Sequence, residues 1–236
     1  MQPYRAFIIR LKDNEHSCKM AQECVEQAKK FNIDVEYFDA INGNDAEFHY
    51  KQTGVPRPKK NLKKGKAGVL GCFFSHYYLW QECWLQNRPY LILEHDGFII
   101  QTIPNNICDQ FSGVLKLDNC DPYSKNYNKI IDQEKNTDLR IEKYKNNLTK
   151  AEFKIGTGNY FRGAYSYILK PSGAKKLLDF IHKNENEKGH RPADQQIGDG
   201  ILDTAVTIPT LARLHPFYSE GANLKTASLT GNPKLL

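Results

Sequence analysis

Residues 90 to 97 read Tyr-Leu-Ile-Leu-Glu-His-Asp-Gly, an apolar run that stops on two carboxylates one residue apart. Glu94 and Asp96 are the side chains of this chain best placed to do chemistry. Tyr90 to Leu93 has the unbroken apolar character of a strand buried in a parallel sheet. Such sheets bind ligands beyond the carboxyl ends of their strands, which is where the two acids fall. Two carboxylates there are costly unless they meet a cation. A hard divalent metal takes oxygen ligands and leaves room for a diphosphate. The pair therefore points to an enzyme that holds a metal–nucleotide-sugar complex. The plainer alternative is a carboxylate pair that caps the next element or sits in a solvated turn.

Sugar transfer from a diphosphate makes three demands. Charge developing on the leaving group must be neutralised, which a carboxylate-held metal does electrostatically. Glu94 and Asp96 are the candidate ligands, Asp96 the stronger. A third would come from the C-terminal half: His215, in Leu-His-Pro-Phe, offers an imidazole that suits Mn²⁺, the alternative being a packed core histidine. Next, the acceptor hydroxyl must lose its proton to a base within hydrogen-bond reach. Finally, the nucleotide must be held. The residues after the first two strands of a doubly wound sheet form the natural pocket, which nominates Arg10, Leu11, Asp39, Ala40 and Gly43. Lys66 opens a helix, and helix N-termini already favour the anionic diphosphate. Ser75 and His76 could touch the donor or merely brace the loop. Tyr160, Phe161 and Tyr165 could stack on a sugar or belong to the core.

These residues need elements to position them. Tyr4 to Leu11 reads as the first buried strand, and Ser17 to Phe31 as an amphipathic helix with Met20, Ala21, Cys24, Ala28 and Phe31 at helical spacing. Val35 to Phe38 is a short strand ending in turn chemistry at Asp39 to Gly43. Residues 44 to 65 are polar and read as a long active-site loop. A helix should run from about Ala67 to Gln86, with Val69, Phe73, Tyr77, Trp80 and Trp84 on one face, and stop before Pro89. The 90–93 strand follows, then a return strand Phe98 to Gln101, a short helix at Asn105 to Phe111 and a strand Val114 to Leu117. Residues 119 to 150 show weak periodicity and predict an irregular excursion. Tyr165 to Leu169 is a strand, Pro171 to His182 a helix with Pro in its first turn, and Ala205 to Ile208 the last strand. The alternation predicts an α/β sandwich, mostly parallel, in one domain spanning 1–236.

Composition sets bounds. The chain has 236 residues, 40% hydrophobic and 11% aromatic, so it is globular. No apolar run approaches the roughly 20 residues that span a bilayer, and the N-terminus lacks a signal-peptide pattern, so the expected place is the cytoplasm. The six cysteines have no zinc or C-x-x-C spacing and read as reduced thiols. Net charge is +6, densest at residues 58–66, Pro-Lys-Lys-Asn-Leu-Lys-Lys-Gly-Lys. That run is a solvated loop or an attractor for nucleic acid or an anionic membrane surface.

Several segments now agree in order: Phe7 to Leu11; Tyr37-Phe38-Asp39-Ala40-Ile41-Asn42-Gly43; Gly68-Val69-Leu70-Gly71-Cys72-Phe73-Phe74-Ser75-His76; Leu91 to Asp96; and Gly163 to Leu169 leading into Gly173 to Leu178. Together they resemble glycosyltransferase family 25. The Gly-x-x-Gly-Cys-x-x-Ser-His segment followed by Leu-Glu-x-Asp is the most specific part, and the resemblance covers roughly residues 5 to 217. It implies a GT-A-like fold with a Rossmann-type, mostly parallel sheet flanked by helices. It also implies a nucleotide-sugar donor, usually with Mn²⁺ (or Mg²⁺), inversion at the anomeric carbon, and a glycan, lipid-linked saccharide or protein acceptor. The family usually carries Glu-Asp-Asp; here the middle residue is His95. Asp194, in Arg-Pro-Ala-Asp-Gln-Gln, matches the family's acidic residue after the Gly-Ala-Lys-Lys-Leu-Leu helix and becomes the candidate base, with Asp199 second. Asp194 could equally N-cap the short helix that follows. Two other readings stand beside a UDP-sugar-dependent hexosyltransferase. One is a nucleic-acid-associated protein or DNA-base glycosyltransferase using the 58–66 run, the less favoured partner. The other is a silent nucleotide-sugar binder, prompted by His95.

Overall fold

The computed structural model describes residues 2–57, 67–119, 126–143, 163–183, 190, 192–198 and 201–219. Lys66, Asp199, Tyr160, Phe161 and the basic run from 58 to 66 lie outside the described residues. In chain order the elements are β1 (Arg5–Arg10), α1 (Glu15–Lys29), β2 (Val35–Asp39), α2 (Ala46–Thr53), α3 (Ala67–Leu85), β3 (Tyr90–Glu94), β4 (Gly97–Ile99) and β5 (Val114–Lys116). There follow α4 (Tyr127–Glu134), β6 (Arg140–Lys143), β7 (Ser166–Leu169), α5 (Pro171–His182), α6 (Ala193–Ile197), β8 (Thr204–Ile208), β9 (Ala212–Leu214) and α7 (Pro216–Ser219).

The main sheet has seven strands in the order β2-β1-β3-β7-β5-β8-β6. β1 pairs in parallel with β2 and β3, and β5 with β8, while β7 and β6 run against their neighbours. The sheet is thus mixed but largely parallel. The carboxyl ends of β1, β2, β3 and β5 share one edge, where the sequence places Arg10, Asp39 and Glu94. The register sets Ile9 beside Glu94 and Arg10 beside Asp39.

Side-chain alternation along the strands builds two cores, one on each face. Phe7, Ile9, Tyr90, Ile92, Tyr167 and Leu169 pack with Phe73, Tyr77 and Trp80 of α3 and Leu177 of α5. Ala6, Ile8, Leu91, Leu93, Leu115 and Ile168 pack with Ala21, Cys24 and Ala28 of α1. Helix α1 starts where Asn14 caps it, accepting from the Ser17 amide at 2.8 Å. Helix α3 is buried around most of its circumference, so only Trp84 of its expected apolar face lies substantially exposed.

Four expectations change. The segment 44–65 is not all loop, because α2 occupies part of it, closed by Gly54 in the left-handed region at φ +67°. Within 119–150 the described residues form α4 and β6, and β6 is the edge strand beyond β8. The strand after Asp96 does not return into the main sheet: β4 pairs with β9 in a separate two-stranded ribbon. The last strand is therefore β9, one beyond β8. This ribbon brings the segment before His215 back to the strand after Asp96.

Candidate active site at the carboxyl edge of the sheet

The site grows from the end of β3. The Glu94 amide donates to the Tyr165 carbonyl at 3.0 Å, which fixes the backbone where the strand leaves the sheet. Cys72 and His76 lie four residues apart on α3 and so share a face. His76 Nε2 sits 3.1 Å from Glu94 Oε1, and Cys72 Sγ 3.6 Å from the same oxygen. His76 Nδ1 is 2.7 Å from Tyr167 Oη, which also accepts from Trp80 Nε1 at 2.8 Å. An indole N–H only donates, so Tyr167 Oη is an acceptor toward Trp80. The Glu94 side chain keeps 27% of its surface exposed. Burial pushes its pKa up, but the hydrogen bond and charge of His76 outweigh that, and the net direction is down. Glu94 is held as a carboxylate. Among the described residues, Cys72, His76 and Glu94 are the one trio of potential metal ligands whose donor atoms all lie within 4.8 Å of one another.

Asp96 is different. It is 5% exposed, and its Oδ1 has no hydrogen-bond partner among the described residues. Burial, and then the charge of Glu94, raise its pKa well above the usual carboxylate value. A buried carboxylate oxygen without a partner, two residues from an ionised one, is a donor set that fits a hard divalent cation. His215 is beside it: its amide donates to the Asp96 carbonyl at 2.7 Å. Its ring, however, is engaged at both nitrogens. Nδ1 accepts from the Phe217 amide at 3.2 Å, and Nε2 lies 3.0 Å from Glu23 Oε2. Burial lowers its pKa. The structure therefore gathers Glu94, Asp96 and His215 at one corner without converging their donor atoms. His95 is pushed down to about 4, chiefly by burial, so it is neutral, and the charges of His16 and His215 also act on it. Its backbone carbonyl accepts from Cys24 Sγ of α1 at 3.4 Å.

Asp194 lies in the first turn of α6, but the residue that caps this helix is Pro192, with no side-chain cap bond. The capping alternative is thus not the geometry observed. Asp194 Oδ1 accepts from the Gln195 amide at 2.8 Å. Burial raises its pKa, the Glu94 charge adds to that, and an amide bond from Gly163 and the charge of His76 work against it. Asp194 thus senses Glu94 and His76 electrostatically although α6 is distant in sequence.

The expected nucleotide rim is assembled at the ends of β1 and β2. Arg10 Nε donates to Asp39 Oδ1 at 3.1 Å, and its guanidinium lies 4.1 Å from the Tyr37 ring centroid. Tyr37 is 41% exposed, so this aromatic and ionic surface faces outward. The Ala40 amide donates to the Arg10 carbonyl at 2.7 Å. Leu11 is turned toward α1, its amide donating to Ser17 Oγ at 3.0 Å. Ser75 is fully buried and braces the loop: its Oγ accepts from the Ile41 amide at 2.8 Å and donates to the Gly71 carbonyl at 2.7 Å. Gly43 packs so tightly on the backbone of Ala67 that a Cβ would clash there. Tyr165 is buried, its hydroxyl bonded to Asp118, which removes it from sugar stacking.

Three features escaped the sequence reading. Cys72 read as one more helical thiol, although Cys-x-x-x-His spacing was the available signal. Tyr37 read only as strand. Asp118 follows β5 as Glu94 ends β3, an acid closing an apolar run at the same sheet edge. It is fully buried, 2.8 Å from the buried Lys116 ammonium.

A curated relative, the lipooligosaccharide biosynthesis protein lic2B of Haemophilus influenzae, is 24% identical over 161 residues, covering 67% of this chain and 49% of its own. The chain thus spans about half the length of that relative. Among solved structures, mouse xyloside xylosyltransferase 1 in its apo form is a loose likeness: 9% identity, TM-score 0.44, covering 82% of this chain and 79% of the other. The model of glycosyltransferase family 25 (LPS biosynthesis protein) matches residues 4–196, which takes in Glu94, Asp96, the α3 segment and Asp194. The chain belongs to glycosyltransferase family 25.

Proposed function

We propose that this chain is a metal-dependent glycosyltransferase that moves a hexose from a nucleotide-sugar donor, a UDP-sugar, onto a hydroxyl of a saccharide acceptor, with inversion. The name of the H. influenzae relative favours a growing lipooligosaccharide as that acceptor. The observation that carries the reading is the partnerless, buried Asp96 Oδ1 beside ionised Glu94 at the carboxyl edge of the sheet. Glu94 and Asp96 would hold Mn²⁺ or Mg²⁺, and His215 joins them only if its Nε2 leaves Glu23. The metal, when bound, supplies positive charge to the departing diphosphate.

The chain's own residues do the rest. His76 and Cys72 hold the Glu94 carboxylate in place from α3. Arg10, Asp39 and Tyr37 offer a charged and aromatic surface for the nucleoside, and Ser75 fixes the Ile41 loop beside it. Asp194 takes the proton from the acceptor hydroxyl. Burial raises its pKa, which makes it a better base than an ordinary aspartate.

The test is release of nucleoside diphosphate from a panel of nucleotide sugars, with and without Mn²⁺ and simple saccharide acceptors. Turnover of at least one donor, dependent on the cation, is expected. Binding of donors without any turnover across the panel would leave a silent binder and overturn the assignment.

A further inference from the structure

The proposed hard-cation site would use Asp96 and Glu94. Beside it stands a second donor set: Cys72, His76 and Glu94, whose sulfur, nitrogen and oxygen all lie within 4.8 Å of one another. We infer that these three residues form a zinc-binding site, separate in chemistry from the hard-cation site and sharing only Glu94 with it.

The argument is first one of distances. Zinc binds thiolate sulfur at about 2.3 Å, imidazole nitrogen at about 2.0–2.1 Å and carboxylate oxygen at about 2.0–2.2 Å, with tetrahedral geometry. Tetrahedral bonds of those lengths place nitrogen and oxygen about 3.3 Å apart, and sulfur and oxygen about 3.5 Å apart. Here His76 Nε2 and Glu94 Oε1 are 3.1 Å apart, and Cys72 Sγ and the same oxygen 3.6 Å. Two edges of the tetrahedron are already built.

The second argument is ligand type. Thiolate sulfur selects zinc over Mn²⁺ or Mg²⁺, harder ions that favour oxygen ligands. The third is support. Cys72 and His76 share one face of α3, whose neighbouring residues Phe73 and Phe74 are fully buried, so the helix cannot turn away. A zinc-bound histidine characteristically directs its other ring nitrogen to a fixed partner. His76 Nδ1 has one in Tyr167 Oη at 2.7 Å, itself anchored by Trp80. Burial first, and then the charges of Glu94 and Asp194, raise the pKa of the Cys72 thiol, so its proton is held until a cation displaces it.

Binding replaces the Cys72 S–H bond with a sulfur–zinc bond and releases that proton to solvent. The proton that His76 Nε2 directs at the Glu94 carboxylate is displaced to solvent as well, so the ring bonds zinc through Nε2 and holds its remaining proton on Nδ1, toward Tyr167. Three protein ligands leave a fourth position for water. Because zinc here takes Glu94, it competes with the hard cation; that consequence for transfer rests on the function proposed above, whereas zinc binding does not.

The experiment uses the full chain and Co²⁺ as the spectroscopic probe, with no donor or acceptor present. Wild type is expected to take one Co²⁺ with a thiolate-to-metal charge-transfer band, displaced by one equivalent of Zn²⁺. Cys72→Ser should lose the band while keeping its melting temperature, His76→Gln should weaken Co²⁺ binding at least about tenfold, and Asp96→Asn should keep the band. Absence of the band in wild type, or its persistence in Cys72→Ser, overturns the site. Should Cys72→Ser melt early, the His76→Gln titration decides alone, and unchanged Co²⁺ affinity there overturns it equally. Since no sugar chemistry is involved, loss of the band leaves the transferase reading standing, and failure of transfer leaves the zinc site standing.

Discussion

His76 Nε2 lies 3.1 Å from Glu94 Oε1 across the gap between α3 and the end of β3. This contact converts a costly half-buried acid into a stable carboxylate, because a hydrogen-bonding imidazole favours the charged form. Asp96, two residues on, has no comparable partner among the described residues and is raised where Glu94 is lowered. The contrast assigns the two acids different tasks. Glu94 is held by the protein, and Asp96 is left for something the protein binds.

Asp194→Asn is expected to slow transfer by about 10²- to 10⁴-fold with donor affinity nearly unchanged. The base works as the carboxylate, so the wild-type rate should rise with pH through the Asp194 pKa, which lies above the ordinary aspartate value. Asp96 is raised as well, so the profile is taken at saturating cation, where Glu94 and Asp96 are both engaged and the remaining acid limb belongs to Asp194. The measurement is a pH–rate profile of both proteins; an identical acid limb and rate in Asp194→Asn would remove Asp194 from catalysis.

Gly71→Ala tests the close approach of α3 to the nucleotide loop. In an ordinary helix interior alanine would gain up to about 1 kcal/mol over glycine. Here the added Cβ would collide with the Ile41 carbonyl. The expected outcome is a net loss of about 1–3 kcal/mol by chemical denaturation, the usual cost of overpacking. A stabilised variant would mean the Ile41 loop is free to give way.

The Lys116–Asp118 pair is buried on both sides, at 3% and 0% side-chain exposure. Asp118→Asn alone should cost about 3–5 kcal/mol, because it removes the opposite charge of a buried ion pair. Lys116→Met with Asp118→Leu should recover most of that loss. Equal damage in single and double variants, read from denaturant midpoints, would show that Asp118 matters through Tyr165 rather than through Lys116.

The sequence made β1, α1, α3 and β3 legible because their apolar periodicity is strong and burial demands it. Strand β6, Arg-Ile-Glu-Lys, carries no such signal: it is an exposed edge strand placed by pairing with β8. The sequence predicts a strand at Phe98 to Gln101, overlapping β4, but not its partner β9 or the separate ribbon, since three-residue strands are defined by their partner. Within the site, Glu94, Asp96 and Asp194 were legible from their positions at element ends. The joining of His76, Cys72 and Tyr167 around Glu94 was not, because those residues come from α3 and β7 and only the packing of α3 on the sheet brings them together.

The central claim is that the partnerless oxygen of Asp96 exists to hold a cation that holds a nucleotide diphosphate. Calorimetric titration of UDP into wild type and Asp96→Asn, each with and without Mn²⁺, tests it most directly. In wild type, Mn²⁺ should tighten UDP binding at least about tenfold, or roughly 1.4 kcal/mol. In Asp96→Asn, UDP should bind with the same weak affinity whether or not Mn²⁺ is present, at an unchanged melting temperature. Full Mn²⁺ enhancement in Asp96→Asn would contradict the account.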